Sequence, residues 1–98
     1  MEAGNVSEEI FESVWDALAD TEQEAANLKA RSALLYEIRK AVLGWGLSQD
    51  EAAKRLGLTR PRTNDLLRGK LAKFSLDALV NIAAAARLEI EIRVKDAA

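Results

Sequence analysis

The stretch that decides the reading is "LSQDEAAKRLGLTRPRTNDLLRGK", Leu47 to Lys70. Ser48 is placed to cap a short helix, with Asp50 and Glu51 in its first turn, Lys54 and Arg55 in its last and Gly57 to stop it. One connecting residue, Leu58, leads to Thr59, which can cap a second short helix running to Arg68 and stopped by Gly69. Arg60 and Pro61, the chain's only proline, then fall in the first turn. Proline is tolerated there because those N–H groups have no helical acceptor, and its fixed φ stiffens the start of the helix.

Two short helices joined through a glycine turn, the second opening on basic residues, suggest a helix-turn-helix. Gln49 opens the unit, Ala53 is small where the helices cross, and Gly57 sits where positive φ is wanted. Leu56, Leu58 and Leu66 are the apolar positions that hold one helix on the other, and Ala52 joins them in the core. The run through "LAKFSLDALVNIA" resembles the XRE-type, lambda-repressor-like helix-turn-helix regulators, and within them is most similar to HigA-like antitoxins. The resemblance covers about Val14 to Val94, and its specific part is Leu47 to Leu79. Thr63 departs from it, standing where that family usually has Val or Ile, for a small expected loss of stability. The resemblance implies a double-stranded DNA operator, a homodimer and repression of the protein's own operon. Its antitoxin branch implies neutralisation of a small, basic, RNA-cleaving toxin.

The amino-terminal end of such a second helix enters the major groove. Arg60, Pro61 and Arg62 would face base edges, and arginine bidentate on guanine is the commonest specific contact. Asn64 could read an adenine; Asp65 either accepts from a cytosine amino group or pairs with an arginine. Gln49 and Thr59, at helix starts, suit phosphates, with Arg68, Lys70 and Lys73 beyond them.

The charge is consistent with that placement. The 98 residues sum to −2, yet Met1 to Leu28 hold eight acids and no base, and the rest is +6. From Lys54 to Lys73 there are seven bases against the single acid Asp65. A local basic face is what a polyanion needs, although a merely solvated face has the same composition. There is neither cysteine nor histidine, which removes disulfides, the thiol nucleophile and the commonest general base and zinc ligand. No enzyme and no cofactor or metal are expected. "MEAGNVSEEI" lacks the basic start and apolar block of a signal peptide, and no apolar run approaches a membrane span, so a soluble cytoplasmic protein is expected.

Around the motif, Val6 to Leu18 shows helical spacing with Ser7 as a cap, and Glu8, Glu9 and Glu12 make an acidic helical face. Thr21 and Glu24 have capping-box spacing ahead of a long helix whose apolar face is Leu28, Leu34, Leu35, Ile38, Val42 and Trp45, ended by Gly44 and Gly46. Trp15 and Trp45 read as packing residues. "FSLDALVNIAAAARL" reads as a helix capped by Ser75 with Leu76, Leu79, Val80 and Ala83 inward.

The tail differs. Leu88, Ile90, Ile92 and Val94 alternate with Glu89, Glu91 and Arg93, the pattern of a half-buried strand. A lone strand needs a partner, and the same strand of a second copy is the simplest. Centring an antiparallel pair on Ile92 sets Ile90 against Val94, Glu91 against Arg93 and Glu89 against Lys95; centring on Glu91 is the runner-up.

The fold expected is all-α, a helix-turn-helix bundle of four to five helices plus one C-terminal strand paired across a dimer. Its parts are an acidic arm over 1–20, a DNA-binding domain over 21–87 and a dimerisation strand and tail over 88–98. The function expected is a DNA-binding regulator of the antitoxin kind. The rival is a protein-interaction module that keeps the helix-turn-helix core without DNA binding.

Overall fold

The computed structural model describes residues 21–96. The expected helix over Val6–Leu18 and the acidic arm lie outside them. The described residues form four α-helices: α1 Glu22–Gly44, α2 Gln49–Leu56, α3 Arg60–Leu67 and α4 Leu76–Ala85, with a 3-10 turn at Leu71–Lys73 between α3 and α4.

Each helix starts on a residue that supplies a side-chain acceptor to its first turn. Thr21 Oγ1 accepts from Glu24 N–H at 3.0 Å, Thr59 Oγ1 from Arg62 N–H at 3.2 Å and Ser75 Oγ from Ala78 N–H at 3.1 Å. At α2 the exchange is reciprocal: Ser48 Oγ accepts from Glu51 N–H at 3.2 Å, and Ser48 N–H donates to Glu51 Oε1 at 3.0 Å. Each such cap is worth about 1 kcal/mol.

The core is one cluster. α1 contributes Leu35, Ile38 and Val42, α2 Ala52 and Leu56, α3 Leu66, and α4 Leu79, Ile82 and Ala83, with Phe74 and Ala86 closing it. Leu34, Trp45 and Leu58 pack against it from the edge. α1 lies along α4 and also touches α3 and the 3-10 turn, while α2 touches α3 and α4. Thr63 is fully buried, yet its hydroxyl donates to Thr59 O at 2.8 Å, so the polar atom is satisfied within α3.

The buried stripe of α4 is Leu79, Ile82, Ala83 and Ala86; Val80, expected inward, is 40 % exposed. Leu79 and Ala83 fit both stripes. α1 and α2 lie on the Ile82 side, which rotates Val80 out.

There is no strand among the described residues, and Leu88 to Asp96 carry no regular secondary structure. The strand expected at Leu88, Ile90, Ile92 and Val94 is therefore not formed within the single chain. A strand is defined by ladder hydrogen bonds to a neighbour, and none forms within the described residues. Leu88 packs on the core, but Ile92 and Val94 are 82 % and 90 % exposed. No helix among the described residues is long and apolar enough to cross a membrane.

α4 ends in a 6→1 and 5→2 closure: Leu88 N–H donates to Ala83 O at 2.9 Å and Arg87 N–H to Ala84 O at 3.0 Å. The residue that must turn left-handed there is Arg87, at φ 63°, where the equivalent residues after α2 and α3 are Gly57 and Gly69. Arg87→Gly should therefore raise the stability of the fold by about 0.5–1 kcal/mol, the left-handed strain removed less the extra chain entropy of glycine. Urea unfolding of the two proteins side by side checks this, and an unchanged or lower midpoint contradicts it.

Candidate nucleic-acid interface

α2 and α3 are joined by the turn the sequence indicates. Gly57 adopts φ 70°, and Leu58 N–H reaches back to Ala53 O at 3.0 Å. A Cβ at Gly57 would meet nothing within 4 Å, so the constraint there is the backbone angle alone. The turn delivers Thr59 as cap, Arg60 as the first residue of α3 and Pro61 as the second.

The five candidate base-reading residues have different surroundings. Pro61 is exposed at the tip. Arg60 is exposed too, its Nε 3.4 Å from Asp50 Oδ1 in a pair that is about two-thirds exposed on both sides. Such a surface pair contributes about 0–1 kcal/mol and exchanges easily for an outside partner. Asn64 Oδ1 accepts from Gln49 Nε2 at 3.1 Å, linking the starts of the two helices. Asparagine reads adenine with its oxygen accepting and its nitrogen donating; the Gln49 link takes one lone pair of Oδ1 and leaves the other lone pair and the amide N–H groups for a base.

Asp65 is one of the less exposed groups of the surface, its side chain 19 % accessible, with Lys70 Nζ at 3.4 Å and Lys73 Nζ at 3.5 Å. Of the two roles left open by the sequence, it takes the pairing role, with lysines in place of an arginine. Partial burial acts to raise its pKa, but Lys73 and then Lys70 outweigh this and hold the carboxyl below the usual range. Arg62 turns inward. Its Nη1 donates to Lys73 O at 2.6 Å and its guanidinium carbon lies 3.9 Å from the centre of the Phe74 ring.

Of the candidate phosphate residues, Thr59 is exposed, its Oγ1 accepting the helix-cap bond and its O–H left to donate, and Gln49 is half-buried. Arg68 is exposed at the end of α3, and Lys70 and Lys73 flank Asp65 beyond it.

Two arginines absent from the sequence reading hold α3 from behind. Arg39 Nε donates to Leu67 O, the last carbonyl of α3, at 2.9 Å. Arg31 Nη1 donates to Leu71 O at 3.2 Å and Phe74 O at 3.1 Å, and its Nε to Asn27 Oδ1 at 2.7 Å. The available signal was their position. On a helical wheel Arg31 falls on the stripe of Leu35, Ile38 and Val42, and Arg39 on its flank. Arg55, in the basic stretch, packs on Trp45 instead, 4.6 Å from its ring centre.

A capped helix, a left-handed turn and a second helix with its basic first turn exposed are the parts of a helix-turn-helix. The model of a protein family described as a helix-turn-helix domain covers residues 17–95. The chain belongs to that family. No curated protein matches it. As a helix-turn-helix protein it has the domain type of DNA-binding regulators.

The Asp65 arrangement has an acid-side signature. A carboxyl whose folded pKa is depressed stabilises the fold above its unfolded pKa, about 3.9, and that stabilisation is lost as pH falls through the lower folded value. Glu51, whose hydrogen bonds with Ser48 lower its pKa likewise, adds to the same loss. Asp65→Asn should melt below the wild type at neutral pH, and the gap should close as the pH is lowered through about 4 to 2. A gap that is constant with pH, measured by thermal melts followed by circular dichroism, would show that the Asp65 charge does not stabilise this surface.

Proposed function

We propose that this helix-turn-helix protein is a sequence-specific transcriptional regulator that reads an operator with α3, as the antitoxin of a toxin–antitoxin pair that represses its own operon. The observation that carries the DNA reading is Arg60. It stands in the first turn of α3, two-thirds exposed and, among the described residues, held by a surface ion pair with Asp50. Arg60 and Pro61 meet base edges; Arg68, Lys70 and Lys73, with the starts of α2 and α3 at Gln49 and Thr59, face phosphates. In this reading residues 21–87 are the DNA-binding unit and the acidic 1–20 segment is a site for a small basic toxin, by charge complementarity.

The protein acts as a homodimer through its tail, 88–98. Support comes from the alternation of Leu88, Ile90, Ile92 and Val94, together with the exposure of the last three. Apolar side chains left in water along an unpaired backbone are what an antiparallel partner strand would cover. Centred on Ile92, the pair would set two copies of α3 about 34 Å apart, one turn of DNA.

A second reading, a protein-interaction module without DNA binding, is favoured by the internal partners of Arg62, Asn64 and Asp65. Salt separates the two. A protein that neutralises phosphates loses affinity steeply as salt rises. Fluorescence anisotropy on duplexes enriched from a randomised library should show that slope. Arg60→Ala should lose about 1–3 kcal/mol on the enriched duplex and relax one base preference, while Lys70→Ala weakens all duplexes alike and flattens the slope. Binding by Arg60→Ala at full strength and specificity would remove α3 as the reader.

Ile92→Lys should elute as a monomer by size exclusion with light scattering and should lose preference for palindromic duplexes. If that variant is still dimeric, the dimer is held elsewhere.

A further inference from the structure

We infer that Arg62 is a positioning residue that fixes the orientation of α3, and that it does not read a base. The inference deepens the DNA-binding reading above and rests on it for its functional consequence.

Three observations place Arg62 in the frame of the domain. Its guanidinium lies 3.9 Å from the Phe74 ring centre, and Phe74 is only 1 % accessible, so the arginine forms part of the cover of a core aromatic. Its Nη1 donates to Lys73 O at 2.6 Å, a charge-assisted bond to a backbone carbonyl. One turn further along α3, Asp65 Oδ2 pairs with Lys73 Nζ at 3.5 Å. Two residues of one face of α3 therefore grip the same residue, one by its main chain and the other by its side chain.

Behind that residue, Phe74 O accepts from Arg31 of α1 at 3.1 Å. The connection runs from α1 through Arg31, the Lys73–Phe74 segment and Arg62 to the first turn of α3. Bidentate reading of guanine needs two guanidinium N–H groups extended away from the protein. Arg62 could supply them only by leaving the ring and the carbonyl together, which would uncover Phe74 and loosen the grip on α3. Arg60, two residues earlier, has no such attachment among the described residues; its pair with Asp50 is exposed on both sides and can be exchanged for a base.

Arg62→Lys tests this, because it keeps the charge and loses the flat, forked group that stacks and bonds at once. In the folded variant without DNA, the amide resonances of α3 should shift along the whole helix, from Arg60 to Leu67, and at the 3-10 turn; shifts confined to the neighbours of residue 62 overturn the inference. On duplexes enriched by the wild type from a randomised library, affinity should fall about tenfold at a temperature where the variant is fully folded. The loss should be spread over every base pair that α3 reads. Loss of discrimination at a single base pair would make Arg62 a reader, and wild-type affinity with only a lower melting point would make it merely structural. Either result overturns the inference. A wild type that enriches no duplex refutes the DNA reading itself, and the resonance shifts still decide whether Arg62 orients α3.

Discussion

Eight residues do not make a stable helix in water. Nucleation is unfavourable, and isolated helices shorter than about 12–15 residues are marginal even with good helix formers. α3 has that length and opens on Arg-Pro-Arg-Thr-Asn-Asp, poor helix formers among them. Its order is therefore borrowed, and the rest of the domain is arranged around lending it. Thr59 caps the start, Thr63 and Leu66 are buried without remainder, and Gly69 turns the chain at the end. Arg39 supplies a donor to Leu67 O, a helix-end carbonyl with no intrahelical partner.

The donors used for this are arginines, and the acceptors are backbone carbonyls. Arg31, Arg39 and Arg62 bond to Leu71, Phe74, Leu67 and Lys73 O. A carbonyl satisfies the donor without cancelling its charge, as a carboxylate would. These groups brace α3 and still contribute positive potential around it. That is how a chain of net charge −2 keeps a basic stretch around α3: from Lys54 to Lys73, Asp65 is the only acid among seven bases.

What was legible in the sequence was local. Thr21, Ser48, Thr59 and Ser75 all cap as their spacing indicates, and Gly57 and Gly69 take the left-handed angles, because a cap or a turn depends on residues within four positions. Leu35, Ile38 and Val42 of α1, expected from periodicity, and Ala52, Leu56 and Leu66, expected from the motif's spacing, are buried for the same reason. What failed depended on distant neighbours. Val80 and Ile82 flank the same stripe of α4, and only the placement of α1 and α2 selects between them. Arg31 and Arg39 were given no role from the sequence, because their acceptors lie 28 to 43 residues away. Alternation alone could not make a strand of Leu88–Val94, since pairing is a property of two segments. Arg62 is the instructive case within the candidate site. Its position in α3 is as expected, but its direction was set by Phe74 and Lys73, which the motif does not specify.

The internal partners also bear on where sequence discrimination can come from. A polar group whose bonding capacity is taken up inside the free protein must give up a bond to reach a base, so its net gain is the difference between two similar interactions. Asp65 would abandon two lysines that hold its pKa down, whereas Asn64 keeps a lone pair and its amide N–H groups beside the Gln49 bond. Among the described residues, Arg60 has an exposed contact with Asp50 to exchange. On the DNA-binding reading, discrimination is then weighted toward the first turn of α3, at Arg60 and the adjoining face of Pro61. On the same reading Arg62 and Asp65, both holding Lys73, would keep that turn at the angle from which it can reach.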